Sequence, residues 1–219
     1  MKVEYKHKFI DFLSKRLLAD LPGTNAHLQM MPEIKNLPYR TLVAKKDAKK
    51  SAVLVLLYSK GEDLNIIFTL RSKKLSNHSG QISFPGGHLD KGETPVQTAL
   101  RETLEEIGID KSQLNVIGRL SDLYVPPTNY IISPVVGYMT EKPDYYINSP
   151  DEVEEIIDLS LGTFSDNSIY SVENWKYQGQ ELKVPLWKIH SETPLWGATS
   201  MIMMEFLLLY SEFKSQSGN

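Results

Sequence analysis

Residues 80–109, GQISFPGGHLDKGETPVQTALRETLEEIGI, constrain this chain more than any other stretch, because they read as a short strand, a glycine turn, a loop and one helix. Thr94 suits the N-cap, Pro95 the first helical position and Gln97 the capping-box partner. Gly108 supplies the left-handed residue that stops a helix. Val96, Ala99, Leu100, Thr103, Leu104 and Ile107 recur at helical spacing, which predicts one buried face opposite an acidic one. On that acidic face Glu102, Glu105 and Glu106 fall within a narrow arc at about 100° per residue. Like charges so placed cost about 0.2–0.5 kcal/mol per pair, and acids near a helix C-terminus oppose its dipole. Stability alone does not select this pattern. Clustered carboxylates become favourable around a divalent cation, and hard oxygen ligands suit Mg²⁺ or Mn²⁺; the alternative is a solvated acidic face.

Composition narrows the setting. A chain of 219 residues with 41% hydrophobic residues can bury a substantial core, and its formal net charge of −3 gives no electrostatic case for a nucleic-acid partner. Cysteine is absent, which removes disulfides, thiolate metal sites and a cysteine nucleophile. Glu4, His7 and Asp11 interrupt any N-terminal apolar region, and the longest greasy run, residues 201–210, contains Glu205 and is too short to span a bilayer. The expectation is a cytoplasmic protein of one domain over residues 1–219, with no membrane partner.

Along the chain, residues 5–20 predict an amphipathic helix with Phe9, Ile10, Phe12, Leu13, Leu17 and Leu18 on one side. Residues 21–40 predict an irregular segment in which His27 and Arg40 are structural, and residues 47–50 a charged turn. Residues 52–58 and 64–70 predict a hairpin of buried strands. Arg71 follows, and its planar fork suits a phosphate. For Lys73 and Lys74, solubility and substrate contact are both open. Strands are expected over residues 114–125 and 130–139, and a hairpin over 172–177 and 182–189. Trp175 and Trp187 are expected in the core or at its rim. An apolar helix over residues 200–213 closes the chain and makes a homodimer plausible.

Gly87, Glu93, Arg101-Glu102, Glu105-Glu106, Gly108 and Ile109 are spaced as in the Nudix box, and the chain resembles the Nudix hydrolases. Thr103 departs from that pattern, standing where a bulky aliphatic residue is usual. Phe68-Thr69-Leu70-Arg71-Ser72, Leu75, His78, Gly80-Gln81 and Phe84-Pro85-Gly86-Gly87 look like the segment that precedes the box in coenzyme A pyrophosphatases, except that Ser76 stands where Arg is common. Tyr124, residues 134–138 and Asp151-Glu152-Val153-Glu154-Glu155-Ile156 carry the likeness further.

The resemblance implies an α/β (α+β) Nudix fold, a mixed β-sheet held between α-helices. It implies metal-dependent hydrolysis of a diphosphate, here that of coenzyme A, giving 3′,5′-ADP and 4′-phosphopantetheine. Glu102 and Glu106 are then the principal ligands of Mg²⁺ or Mn²⁺, with Glu105 shared or water-mediated and the Gly86 carbonyl close by. Glu93 and Arg101 lock loop to helix, and Glu152 or Glu155 adds a ligand or the base that takes a proton from water. The catalytic set is thus Glu93, Arg101, Glu105, Glu106 and Glu152. Substrate contacts are expected at Arg71, Lys74, His78, Phe84, Gly86 and Gly87, although His78 also reads as a loop-fixing histidine. A pyrophosphatase for ADP-ribose or NADH, and a ligand-sensing module without turnover, are the competing readings.

Overall fold

A computed structural model describes residues 2–35, 43–61, 63–75, 78–142, 146, 149–177 and 179–216. Arg40 and Ser76, singled out above, lie outside them. The elements run α1 Lys2–Arg16, α2 Thr24–His27, β1 Glu33–Ile34, β2 Lys49–Lys60, β3 Asp63–Arg71, β4 Ile82–Ser83, β5 Gly86–His88 and α3 Pro95–Ile107. They continue with β6 Asn115–Arg119, β7 Leu123–Val125, β8 Tyr130–Met139, β9 Val153–Ser160, β10 Tyr170–Tyr177, β11 Gln180–Trp187, β12 Leu195–Trp196 and α4 Gly197–Gln216.

The larger sheet is mixed, as the Nudix fold requires. Its strands follow the order β4-β3-β2-β8-β6, with β5 on β2, β7 on β8 and β9 on β3. β2 and β8 are parallel over ten registered pairs from Lys49↔Tyr130 to Tyr58↔Met139, and the other pairings are antiparallel. Because β2 is apolar on both faces, it lies between two layers. Ala52, Leu54, Leu56 and Tyr58 pack with Ala99 and Ile107 of α3, while Val55 and Leu57 join Phe9 and Leu13 of α1 and Phe206 and Leu209 of α4.

Several boundaries differ from the sequence reading. α1 ends at Arg16, and Leu18, expected on its apolar side, is 89% exposed because the chain has already turned. Lys49 and Lys50 belong to β2, where pairing with β8 and β5 draws the charged turn into the strand. The strand expected over 114–125 breaks into β6 and β7, and residues 153–160 form β9 against β3. The expected hairpin 172–189 forms, but Tyr177↔Gln180 leaves a turn of only two residues, and β10 and β11 belong to a second antiparallel sheet with β1 and β12. Trp187 is in the core, and Trp175 meets Trp196 edge-on at 4.9 Å.

The N-terminal segment is fastened to this body by one buried carboxylate. Glu205 of α4 accepts the Gly23 N–H at 2.9 Å, the Ser121 N–H at 3.2 Å and His27 Nε2 at 3.2 Å. Burial opposes its charge, but the hydrogen bonds from His27 and Ser121, the His27 charge and the Gly23 amide outweigh it and hold the carboxyl below the ordinary range. A group whose folded pKa is depressed contributes stability above its unfolded value, and that contribution vanishes as pH falls through the folded one. Urea denaturation is therefore expected to show stability falling below about pH 4.3 in the native chain. Glu205→Gln, about 1–3 kcal/mol less stable at pH 7, is expected to lack that part of the acid slope; equal slopes would assign the loss to other acids.

Candidate active site

The glycine turn and α3 meet because β5 lies against β2 with no side chains between them. Gly86, Gly87 and His88 pair with Val53, Ala52 and Ser51, and a Cβ on Gly86 would strike the Ala52 carbonyl and stand 2.7 Å from Val53 Cα. A Cβ on Gly87 would enter the Glu102 carboxylate. Helix α3 starts and stops as its sequence predicts: Thr94 Oγ1 accepts the Gln97 N–H at 3.3 Å, Gln97 Oε1 accepts the Thr94 N–H at 2.8 Å, and Gly108 has φ 73°.

Glu93 anchors the loop to this helix. Its carboxylate receives Arg101 Nε at 2.9 Å and Arg101 Nη2 at 3.0 Å, the Thr98 hydroxyl at 2.7 Å and the Asp90 N–H at 3.1 Å. These bonds, Arg101 foremost, hold the Glu93 carboxyl down at about 2. Thr98 had no part in the sequence reading; a threonine five residues on, facing the core, was the signal. Arg101 also donates from Nη1 to Glu102 at 2.8 Å and Glu105 at 3.0 Å, and from Nη2 to the His88 carbonyl at 3.1 Å.

Glu106 does not lie on the acidic face expected opposite the buried stripe. It is 2% exposed, accepts the Gly86 N–H at 3.2 Å, and lies 3.5 Å from Arg71 Nη1. Helix geometry explains the burial: Ala99, seven residues earlier, is about 20° away around the axis. Leu104, expected on the buried stripe, is 46% exposed because it falls at the rim of that stripe. Burial pushes the Glu106 carboxyl up to about 8; Arg71 and the Gly86 amide oppose this, and the charges of Glu102 and Glu152 add to it. Glu102 is raised as well, first by burial, with Arg101 opposing and Glu105 and Glu152 reinforcing.

The structure thus gathers Glu102, Glu105, Glu106, Glu152, Arg71, Gly86 and Gly87 around the start of β5. Glu155 is turned away to His190 Nε2, 3.2 Å distant. Lys74 is exposed and paired with Asp151 at 2.9 Å. His78 has φ 55° and holds Gln81 Oε1 at 2.9 Å, in keeping with loop fixing. Phe84, expected at the substrate, lies between β4 and β5, is 2% exposed and stacks on Phe68 in the core at 4.8 Å. Among the described residues no three His, Asp or Glu side chains converge on one point. Arg101 holds Glu102 and Glu105 to one side, and Gly86 holds Glu106 to the other.

A family model described as the NUDIX domain matches residues 48–176. The chain belongs to the Nudix family. It is 28% identical over 211 residues to Nudix hydrolase 3 of Caenorhabditis elegans, with 85% of each chain covered. It is 34% identical over 135 residues to the peroxisomal coenzyme A diphosphatase NUDT7 of Mus musculus, covering 61% of this chain and 56% of that one. Among solved structures, the MutT protein from Methanosarcina mazei Go1 aligns with a TM-score of 0.49 and 16% identity over 81% of this chain and 100% of that one. The protein is accordingly a Nudix hydrolase, of the class that acts on nucleoside diphosphate derivatives and generally uses divalent metals such as Mg²⁺ or Mn²⁺.

The carboxylates of the Nudix helix fit such an ion by their chemistry. They are hard oxygen donors, and burial raises the pKa of two of them, Glu102 and Glu106, a cost that a cation among them would offset. Gly87→Ala places a methyl group in the Glu102 carboxylate. It is expected to lower diphosphatase turnover by about a hundredfold with the circular dichroism spectrum retained. Turnover within twofold of wild type would show that Glu102 need not hold its position.

Proposed function

We propose that this Nudix hydrolase cleaves the diphosphate of coenzyme A, or of its thioesters or oxidised forms, to 3′,5′-ADP and 4′-phosphopantetheine. The observation that carries this reading is the segment Phe68 to Gly87, which resembles the coenzyme A pyrophosphatases and whose Arg71 faces Glu106. The name of the mouse relative agrees with it. The reaction adds water to one phosphorus and breaks the bridging P–O bond; the oxygen lost carries its charge away on the leaving phosphate.

Glu102 and Glu106 would be the principal metal ligands, with Glu105 and the Gly86 carbonyl completing the donor set. A bound Mg²⁺ or Mn²⁺ supplies neutralisation of phosphoryl charge and polarises the attacking water. Arg101, fixed by Glu93, keeps Glu102 and Glu105 aimed at one place. Arg71 would give a diphosphate oxygen its fork, and its buried Nε has no hydrogen-bond partner among the described residues. Gly86 and Gly87 let the backbone lie close to the phosphates. Glu152, exposed and close enough for its charge to raise Glu102 and Glu106, would accept the water proton. No helix of the described residues is long and apolar enough to cross a membrane, and a cytoplasmic site of action suits the sequence.

The test is product analysis of coenzyme A incubated with protein and Mg²⁺ or Mn²⁺, beside ADP-ribose, NADH and Glu106→Gln. Both products are expected, lost on chelation and reduced at least about a hundredfold in the variant. Equal cleavage of unrelated dinucleotides would leave a broad Nudix diphosphatase, and absence of all turnover would favour a sensing role. Arg71→Gln is expected to raise KM for coenzyme A by about tenfold or more, as loss of a charge-assisted bond to phosphate does; an unchanged KM would remove Arg71 from the substrate site.

A further inference from the structure

The cations around the site fall into two groups. Lys73 and Lys74, after β3, are matched by acids: Lys74 lies 2.9 Å from Asp151, and Lys73 lies 3.7 Å from Glu154 and 3.8 Å from Glu192. Lys45, Lys46 and Lys49, before and at the start of β2, are exposed, and among the described residues none of them is in an ion pair. Asp47 is the one acid within that run.

Beside these lysines stands an aromatic pair, exposed His88 and half-buried Tyr130. The rings of His88 and Tyr130 are 12° from parallel with centroids 4.9 Å apart, and the Tyr130 hydroxyl is 3.1 Å from His88 Nε2. Lys49 Nζ lies 5.8 Å from the Tyr130 centroid. Strand register assembles the three: Lys49 is opposite Tyr130 on β8, and Ser51, two residues on and on the same face, is opposite His88 on β5. His88 directly follows Gly87, and its carbonyl is held by Arg101. The pair is therefore tied to the carboxylate cluster by one peptide unit and one hydrogen bond.

Fold stability accounts poorly for either feature. The exposed His88 ring buries little area, and neighbouring lysines without an acidic partner repel each other. A purine nucleotide needs both: an aromatic face on which its base can stack and a cation for a phosphate. We propose that His88, Tyr130 and Lys49 form the subsite for the nucleoside half of the substrate. The base stacks on the ring pair, and a ribose phosphate outside the diphosphate pairs with Lys49, with Lys45 and Lys46 adding to the field. This inference rests on the diphosphatase reading above and gives it a direction: the nucleoside lies toward β5 and β8, and the other half of the substrate toward Arg71.

Calorimetric titration of the full chain with 3′,5′-ADP, 5′-AMP and adenosine at one salt concentration tests it, with proton NMR of the adenine ring as a direct report of stacking. The bisphosphate is expected to bind about tenfold more tightly than 5′-AMP, and Lys49→Ala to abolish that advantage. His88→Ala is expected to weaken all three ligands by about tenfold and to remove the upfield shift of the adenine protons. If neither variant changes any affinity and the ring protons do not shift, the subsite is overturned. Coenzyme A turnover by the unaltered protein, measured on the same preparation, keeps the two ideas apart: turnover with unaffected binding sinks the subsite alone, and no turnover of any nucleotide diphosphate sinks the reading it rests on.

Discussion

The guanidinium of Arg101 is the contact on which the site depends. All five of its N–H donors are committed: Nε and one Nη2 proton to Glu93, the other Nη2 proton to the His88 carbonyl, and the two Nη1 protons to Glu102 and Glu105. One planar group thereby joins the loop before α3, the strand β5 and two turns of the helix. A lysine at this position has three donors and no fork, so it could not hold these partners at once. The three carboxylates also explain why the cation sits here: without it Glu102 and Glu105 would face each other with only solvent between them.

Glu106 poses the opposite problem. Its carboxylate is buried, and its compensation is one amide bond and an arginine 3.5 Å away, too long for a strong hydrogen bond. Such a group stays partly protonated near neutrality, as its upward shift to about 8 states. A buried acid left in this condition is costly as structure and useful as a ligand, because a cation arriving beside it restores the charge that burial suppressed. The loop before α3 thus carries one carboxylate satisfied by protein, Glu93, and the helix carries one left needing an ion, Glu106.

How much of this could be read in advance depended on how local the cause was. The caps of α3, its length and the Glu93–Arg101 lock follow from neighbours within eight residues, and the sequence displayed them. The position of Glu106 was also legible, since its angle from Ala99 is fixed by helix geometry alone; placing it opposite the buried stripe came from grouping the acids by mutual proximity and not by their angle to the apolar stripe. Phe84 shows the limit of motif reading: it stands within a recognisable run, yet its ring is buried against Phe68 of β3. The second sheet was not foreseeable from β10 and β11, because their hairpin pairs with β1 and β12, and such long-range partners leave no periodicity to read. His88, Tyr130 and Lys49 are likewise brought together only by strand register.

The clamp at Glu205 belongs to the same class of long-range cause, and it bears on why residues 2–30 lie where they do. The apolar contacts of Phe9 with Phe206, Tyr210 and Phe213 are non-directional and would tolerate a shifted helix. Glu205 is directional. It accepts from Gly23, which has φ 50° and is 3.1 Å, measured from an added Cβ, from Ser121 Oγ, so the chain can pass at one height only. Buried ion pairs contribute little net stability but penalise every alternative that leaves the charge unmatched. The greasy contacts therefore hold the N-terminal segment to the body, and the carboxylate selects its register; by fixing Ser121 as well, it ties that register to the turn between β6 and β7, on the layer of the sheet opposite α3.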